Sequence, residues 1–75
     1  MLRAKLVSTC VRQADYDPRK RELTLALGGG TYRYKNVPQV AYDRLVTAES
    51  AGREYNRNIR GRYEATRVAG VDEGF

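Results

Sequence analysis

Histidine and tryptophan are absent from this 75-residue chain, and cysteine and methionine occur once each. Without histidine the commonest general base is missing, and so is one half of the usual His/Cys zinc sites. The single cysteine, Cys10, excludes an internal disulfide and suits a reducing compartment. No run approaches the roughly 18 apolar residues of a membrane span. Arg3 and Lys5 interrupt the apolar start Met1–Val7, which therefore does not read as a signal peptide. A soluble, cytoplasmic, monomeric protein with no membrane contact is expected. The length leaves room for one domain, small enough that its stability should be marginal.

Acid is also scarce: 9 Asp+Glu face 14 Lys+Arg, for a net charge of +5. Arg53, Arg57, Arg60, Arg62 and Arg67 cluster late, and Arg19-Lys20-Arg21 forms a second knot. Such a balance favours nucleic acid or an acidic protein surface as partner. The competing explanation is a basic solvated surface that serves solubility alone. The segment Gly52–Tyr63 argues for binding, because it carries four arginines, two tyrosines and two asparagines in twelve residues. Arginine offers a planar charged fork and tyrosine a flat amphipathic ring, which suit phosphate, carboxylate and aromatic contacts. Only Tyr55, Ile59 and Tyr63 offer an apolar face there.

Along the chain, residues 2–16 alternate loosely and predict strand character broken near Ser8-Thr9. Asp17-Pro18-Arg19-Lys20 predicts a turn, with proline presetting φ and the aspartate accepting a local backbone hydrogen bond. Leu23, Leu25 and Leu27 then alternate with Glu22, Thr24 and Ala26, as in a strand with one buried face. Gly28-Gly29-Gly30 predicts a tight reversal into a third strand, Thr31–Lys35, where Tyr32 and Tyr34 share a face. Pro38 suits the first turn of a helix over 39–48, with Val40, Ala41, Leu45 and Ala48 near one face and Asp43 and Arg44 outside. A short second helix over 53–60 would set Tyr55 and Ile59 together, and the chain after Arg67 reads as tail. The expected architecture is α+β: a three-stranded antiparallel meander packed against one main helix, with a short second helix and a flexible C-terminal tail. Residues 1–68 would form the single domain and residues 69–75 a disordered tail.

Three chemical readings are weak. The triple glycine lacks the lysine and Ser/Thr of a P-loop and precedes a strand, so a hairpin turn is preferred. Nothing obvious activates Cys10 as a nucleophile, and a small buried or half-buried residue is expected there. Asp15 and Asp17 are too few oxygens for a metal site and belong to turn chemistry. Neither a metal nor a cofactor is expected, and an enzyme is not. Tyr32 and Tyr34 are divided between core packing and a base-stacking platform.

The order of features resembles the KTSC domain over roughly residues 6–68. It is carried by ADYDPRKRELTL, NVPQVAYDRL and AESAGREYNRNIRGRYEATRV, and most specifically by Tyr32-Arg33-Tyr34 and by the run from Ser50-Ala51-Gly52 to Arg62. The former is similar to the family's central YxY, the latter to its S-x-G…N-x-x-I-R-x-x-Y pattern. Ser8-Thr9 departs slightly from the commoner Ser-Ser. The resemblance implies RNA binding, the usual suggestion for these domains. A stand-alone basic domain of this size is also similar to a small phage-encoded regulator of bacterial RNA polymerase, which implies inhibition of initiation and promotion of antitermination in the host cytoplasm. For such a protein partner an exposed strand edge, residues 3–7 or 31–35, would take an extended peptide. Partner contacts are therefore expected from Arg3, Lys5, Arg33, Lys35, Arg53, Arg57, Arg60 and Arg62, and stacking from Tyr34, Tyr55 or Tyr63. The alternative is a single-stranded RNA or tRNA binder using the same arginines on phosphate.

Overall fold

The computed structural model describes residues 1–6 and 10–69. The strand break expected at Ser8-Thr9 and the tail beyond Ala69 lie outside the described residues. Five antiparallel strands follow one another in sequence order across a single sheet: β1 (Leu2–Lys5), β2 (Val11–Asp17), β3 (Glu22–Leu27), β4 (Gly30–Tyr34) and β5 (Ala65–Ala69). Helices α1 (Gln39–Thr47) and α2 (Ala51–Asn58) lie between β4 and β5 in the chain, and both touch β2.

The turns form for the reasons read in the sequence. Asp17 Oδ1 accepts from the backbone N–H of Arg19 at 3.0 Å and of Lys20 at 3.4 Å, reversing β2 into β3. Arg21 completes that turn at φ 56°. Gly28-Gly29 joins β3 to β4, whose first residue, Gly30, pairs with Leu27 at φ 149°. Alternation then sorts the side chains. In register, Tyr16 faces Leu23 and Leu23 faces Tyr34, while Ala14 faces Leu25 and Leu25 faces Tyr32. This face is buried under the helices, apart from the half-buried Tyr32. On the opposite face, Arg3 grips Asp15 with Nε at 2.9 Å and Nη2 at 3.2 Å. Arg33 Nε lies 3.8 Å from Glu22 Oε1 on the same side.

The chain leaves β4 through Asn36, in a left-handed conformation at φ 59°. Val37 is then pinned twice: its N–H donates to Arg21 O at 2.9 Å, and its carbonyl accepts from the Tyr16 hydroxyl at 2.6 Å. Tyr16 also stacks on Tyr42 of α1, with ring centroids 5.5 Å apart. Ser50 caps α2, its Oγ accepting from Arg53 N–H at 3.3 Å. After Ile59 and the positive-φ Gly61, the chain returns beside β4, where Lys35 N–H donates to Glu64 O and Tyr34 pairs with Ala65.

Three expectations need correction. The sheet has five strands rather than three: the N-terminal stretch is a separate hairpin, β1 with β2, and Val68 and Ala69 belong to β5 rather than to a tail. The buried face of α1 is Ala41, Tyr42 and Leu45, while Val40 is 52% exposed. Tyr42, stacked on Tyr16 of β2, takes the buried place instead. Finally, residues 31–35 are no edge, because β5 covers that side of β4, and among the described residues β1 and β5 are the sheet's two edges.

These burials set a contrast measurable by urea unfolding. Ile59→Ala, at a fully buried site, should lower stability by about 3 kcal/mol. Val40→Ser should change it by less than about 0.5 kcal/mol.

Candidate nucleic-acid interface

Helix α2 is almost entirely polar. Ala51 and Tyr55, with Ile59 at its C-cap, recur every four residues and form the stripe that docks on the core. This spacing turns Arg53, Asn56 and Arg57 outward, and the following turn adds Arg60 and Arg62, all exposed. Among the described residues none of these four arginines makes an ion pair. Arg60 Nη1 reaches Asn56 Oδ1 at 3.5 Å, and Glu54 instead accepts from Asn58 Nδ2 at 2.7 Å. This ridge, α2 and its turn, thus carries four guanidinium groups that form no ion pair among the described residues, although Glu54 lies beside Arg53 and Arg57 on one side and Arg62 on another.

The eight basic residues expected at the interface do not share one surface. Arg53, Arg57, Arg60 and Arg62 lie together on α2 and its turn. Arg3 and Arg33 lie on the far face of the sheet, each near a carboxylate. Lys5 and Lys35 are exposed at the ends of β1 and β4. The stacking candidates also divide. Tyr34 and Tyr55 are buried, rings edge-to-face at 6.2 Å and hydroxyls 2.7 Å apart in a mutual hydrogen bond, so neither presents a face to a partner. Tyr63 is half-buried and accessible.

Tyr63 borders a groove of about 670 Å³ that the residue pattern did not reveal. One wall is the β3–β4 turn, with Leu27, Gly28, Gly29 and Tyr32. The other is α2 and its turn, with Asn56, Arg60, Gly61 and Tyr63; Tyr34 and Tyr55 lie at the base. Cys10 also lines it, and is exposed rather than buried or half-buried as expected. Arg67 of β5 ties the rim by donating from Nη2 to Gly29 O at 3.2 Å. Periodicity could not find this groove, because its walls, the β3–β4 turn and α2 with its turn, are distant in sequence and meet only in the fold. Among the described residues no cluster of three or more metal-ligating side chains occurs, and no helix is long and apolar enough to cross a membrane.

Burial raises the Tyr34 hydroxyl well above its ordinary pKa of 10.0, and the hydrogen bond to Tyr55 raises it further. Burial likewise raises Tyr42, helped by the nearby Asp15 charge. Above pH 10 the unfolded chain therefore releases protons that the folded chain retains. Stability is fully present below that pH and falls as pH rises beyond it. In alkaline unfolding experiments Tyr34→Phe should show a shallower fall with pH than the wild type, because one retained proton is gone; equal slopes would refute this assignment.

Comparison with known proteins agrees with the fold and with the shared pattern. The KTSC domain family matches residues 7–63. A protein of Tsukamurella paurometabola is 41% identical over 59 residues, covering 77% of this chain and 88% of the relative. An uncharacterized protein of Stutzerimonas stutzeri is 36% identical over 58 residues, covering 76% and 82%. The crystal structure of a KTSC domain protein from Yersinia pestis superposes with a TM-score of 0.85 at 29% identity, covering 89% of this chain and 96% of that one. With most of its length matched by the family and its five-stranded, two-helix fold shared with a solved member, this chain belongs to the KTSC domain family.

Proposed function

We propose that the protein is a non-enzymatic module that binds single-stranded RNA through α2 and the turn that follows it. The observation that carries this reading is that Arg53, Arg57, Arg60 and Arg62, all on α2 and its turn, are exposed with no ion pair among the described residues. Guanidinium groups in that state are ready to replace the counterions of a phosphate backbone, and the chain's +5 charge draws a polyanion toward them. Arg3 and Arg33 contribute less, since their charges are already partly answered by Asp15 and Glu22.

A second reading is favoured by the sheet edges. Among the described residues one side of β1 has no strand beside it, and an extended segment of a protein partner could add there through main-chain hydrogen bonds. With the size and charge of the chain, this supports a phage-type regulator that docks on bacterial RNA polymerase in the cytoplasm, inhibiting initiation and promoting antitermination. Co-elution with purified, nuclease-treated polymerase would favour it over RNA binding.

The RNA reading predicts anisotropy titrations that weaken steeply between about 50 mM and about 200 mM salt. The double variant Arg57→Ala/Arg60→Ala should bind about tenfold or more weakly, and Arg3→Ala should stay within about twofold of wild type. Absence of micromolar binding at low salt, or affinity indifferent to salt, would sink it.

A further inference from the structure

The groove between the β3–β4 turn and α2 has a composition that neither packing nor solubility explains. Its volume, about 670 Å³, lies within the range of small-molecule sites. Leu27, Tyr32 and Tyr63 give it apolar and aromatic surface, and among the described residues no Asp or Glu lines it. Besides the tyrosine hydroxyls and Cys10, Asn56, whose amide is both donor and acceptor, and the charged Arg60 border that surface. An apolar occupant would strip water from Arg60 without replacing its hydrogen bonds, at a cost in free energy. A flat ring carrying a nearby negative charge would satisfy both surfaces together. The charged side is continuous with the ridge, because Arg60 belongs to both. The walls also leave room for entry. Gly29 has no side chain, and a Cβ added there would meet nothing within 4 Å.

We propose that this groove is a nucleotide pocket: one unpaired base of a bound RNA strand seats against Tyr63 and Tyr32, with its polar edge toward Asn56 and its phosphate on Arg60. The pocket rests on the RNA-binding reading and adds to it a place where the strand leaves the surface and one base is enclosed. Stacking of that base supplies an affinity that does not depend on counterion release.

The open space at Gly29 permits a direct test. Gly29→Phe should place a ring at the groove mouth without straining the backbone, since Gly29 is not a positive-φ glycine. Heteronuclear NMR would follow wild type and variant with adenosine 5′-monophosphate, and anisotropy would follow both with a single-stranded RNA of about ten nucleotides. The nucleotide should shift the resonances of Leu27, Gly29, Gly61 and Tyr63 in the wild type and leave the variant unchanged. RNA binding should weaken about tenfold in the variant. If the RNA binds both proteins equally, the pocket is refuted while the ridge stands; if it binds neither, both readings fall. Benzyl alcohol shifting the same resonances as strongly as the nucleotide would overturn the nucleotide assignment. Should Gly29→Phe not fold, Tyr63→Leu, which keeps apolar bulk and removes the ring, makes the same comparison.

Discussion

The contact between Tyr34 and Tyr55 fixes more of this molecule than any other. A helix of eight residues does not hold itself together in water, and α2 has few apolar side chains with which to dock. Its place is set by Ala51, by Ile59 and by the Tyr55 ring standing edge-on to Tyr34 in the sheet. The hydroxyls answer one another at 2.7 Å in a region where an unanswered one would cost about 1–3 kcal/mol. Sliding or rotating α2 would break that bond and move Tyr55 off the core. The outward direction of Arg53, Asn56 and Arg57 follows from the same constraint, as does the base of the groove beside them.

The elements with strong local signals were legible from sequence, and those settled by distant contacts were not. Leu23, Leu25 and Leu27 alternate cleanly, and Asp17-Pro18 names its own turn, so the β2–β3–β4 meander could be read directly. Strand β5 has no such pattern. Residues 65–68 are all exposed, and its position is fixed by main-chain pairing with β4. In α1, Val40 and Tyr42 compete for the buried face, and Tyr16, more than twenty residues earlier in the chain, decides between them. Aromatic content alone does not distinguish a ring that stacks on a partner from one that locks a helix to a sheet.

Tyr34 and the segment from Ser50 to Tyr63 separate along the same line. Tyr34 and Ile59 are buried, and Ser50 caps α2, so these positions serve the fold. Asn56, Arg60 and Tyr63, drawn from the same segment, border the groove together with Tyr32. The Arg/Tyr/Asn segment is therefore neither wholly a binding surface nor wholly a packing element. Residues facing the sheet hold it in place, and of those facing away Asn56 and Arg60 reach the groove, bordered on its far side by the turn that Arg67 ties to β5. Arg3 and Arg33, equally basic in the sequence, are set apart by the sheet and by their carboxylate neighbours.

The most direct measurement is photocrosslinking of the full chain to a single-stranded RNA containing 4-thiouridine, with the attachment sites read by mass spectrometry. Adducts at Tyr32, Asn56, Arg60 or Tyr63, competed away by unlabelled RNA, are the predicted result. Adducts confined to Arg3, Lys5 or Arg33, or none above background, would contradict an RNA surface built on α2 and its groove.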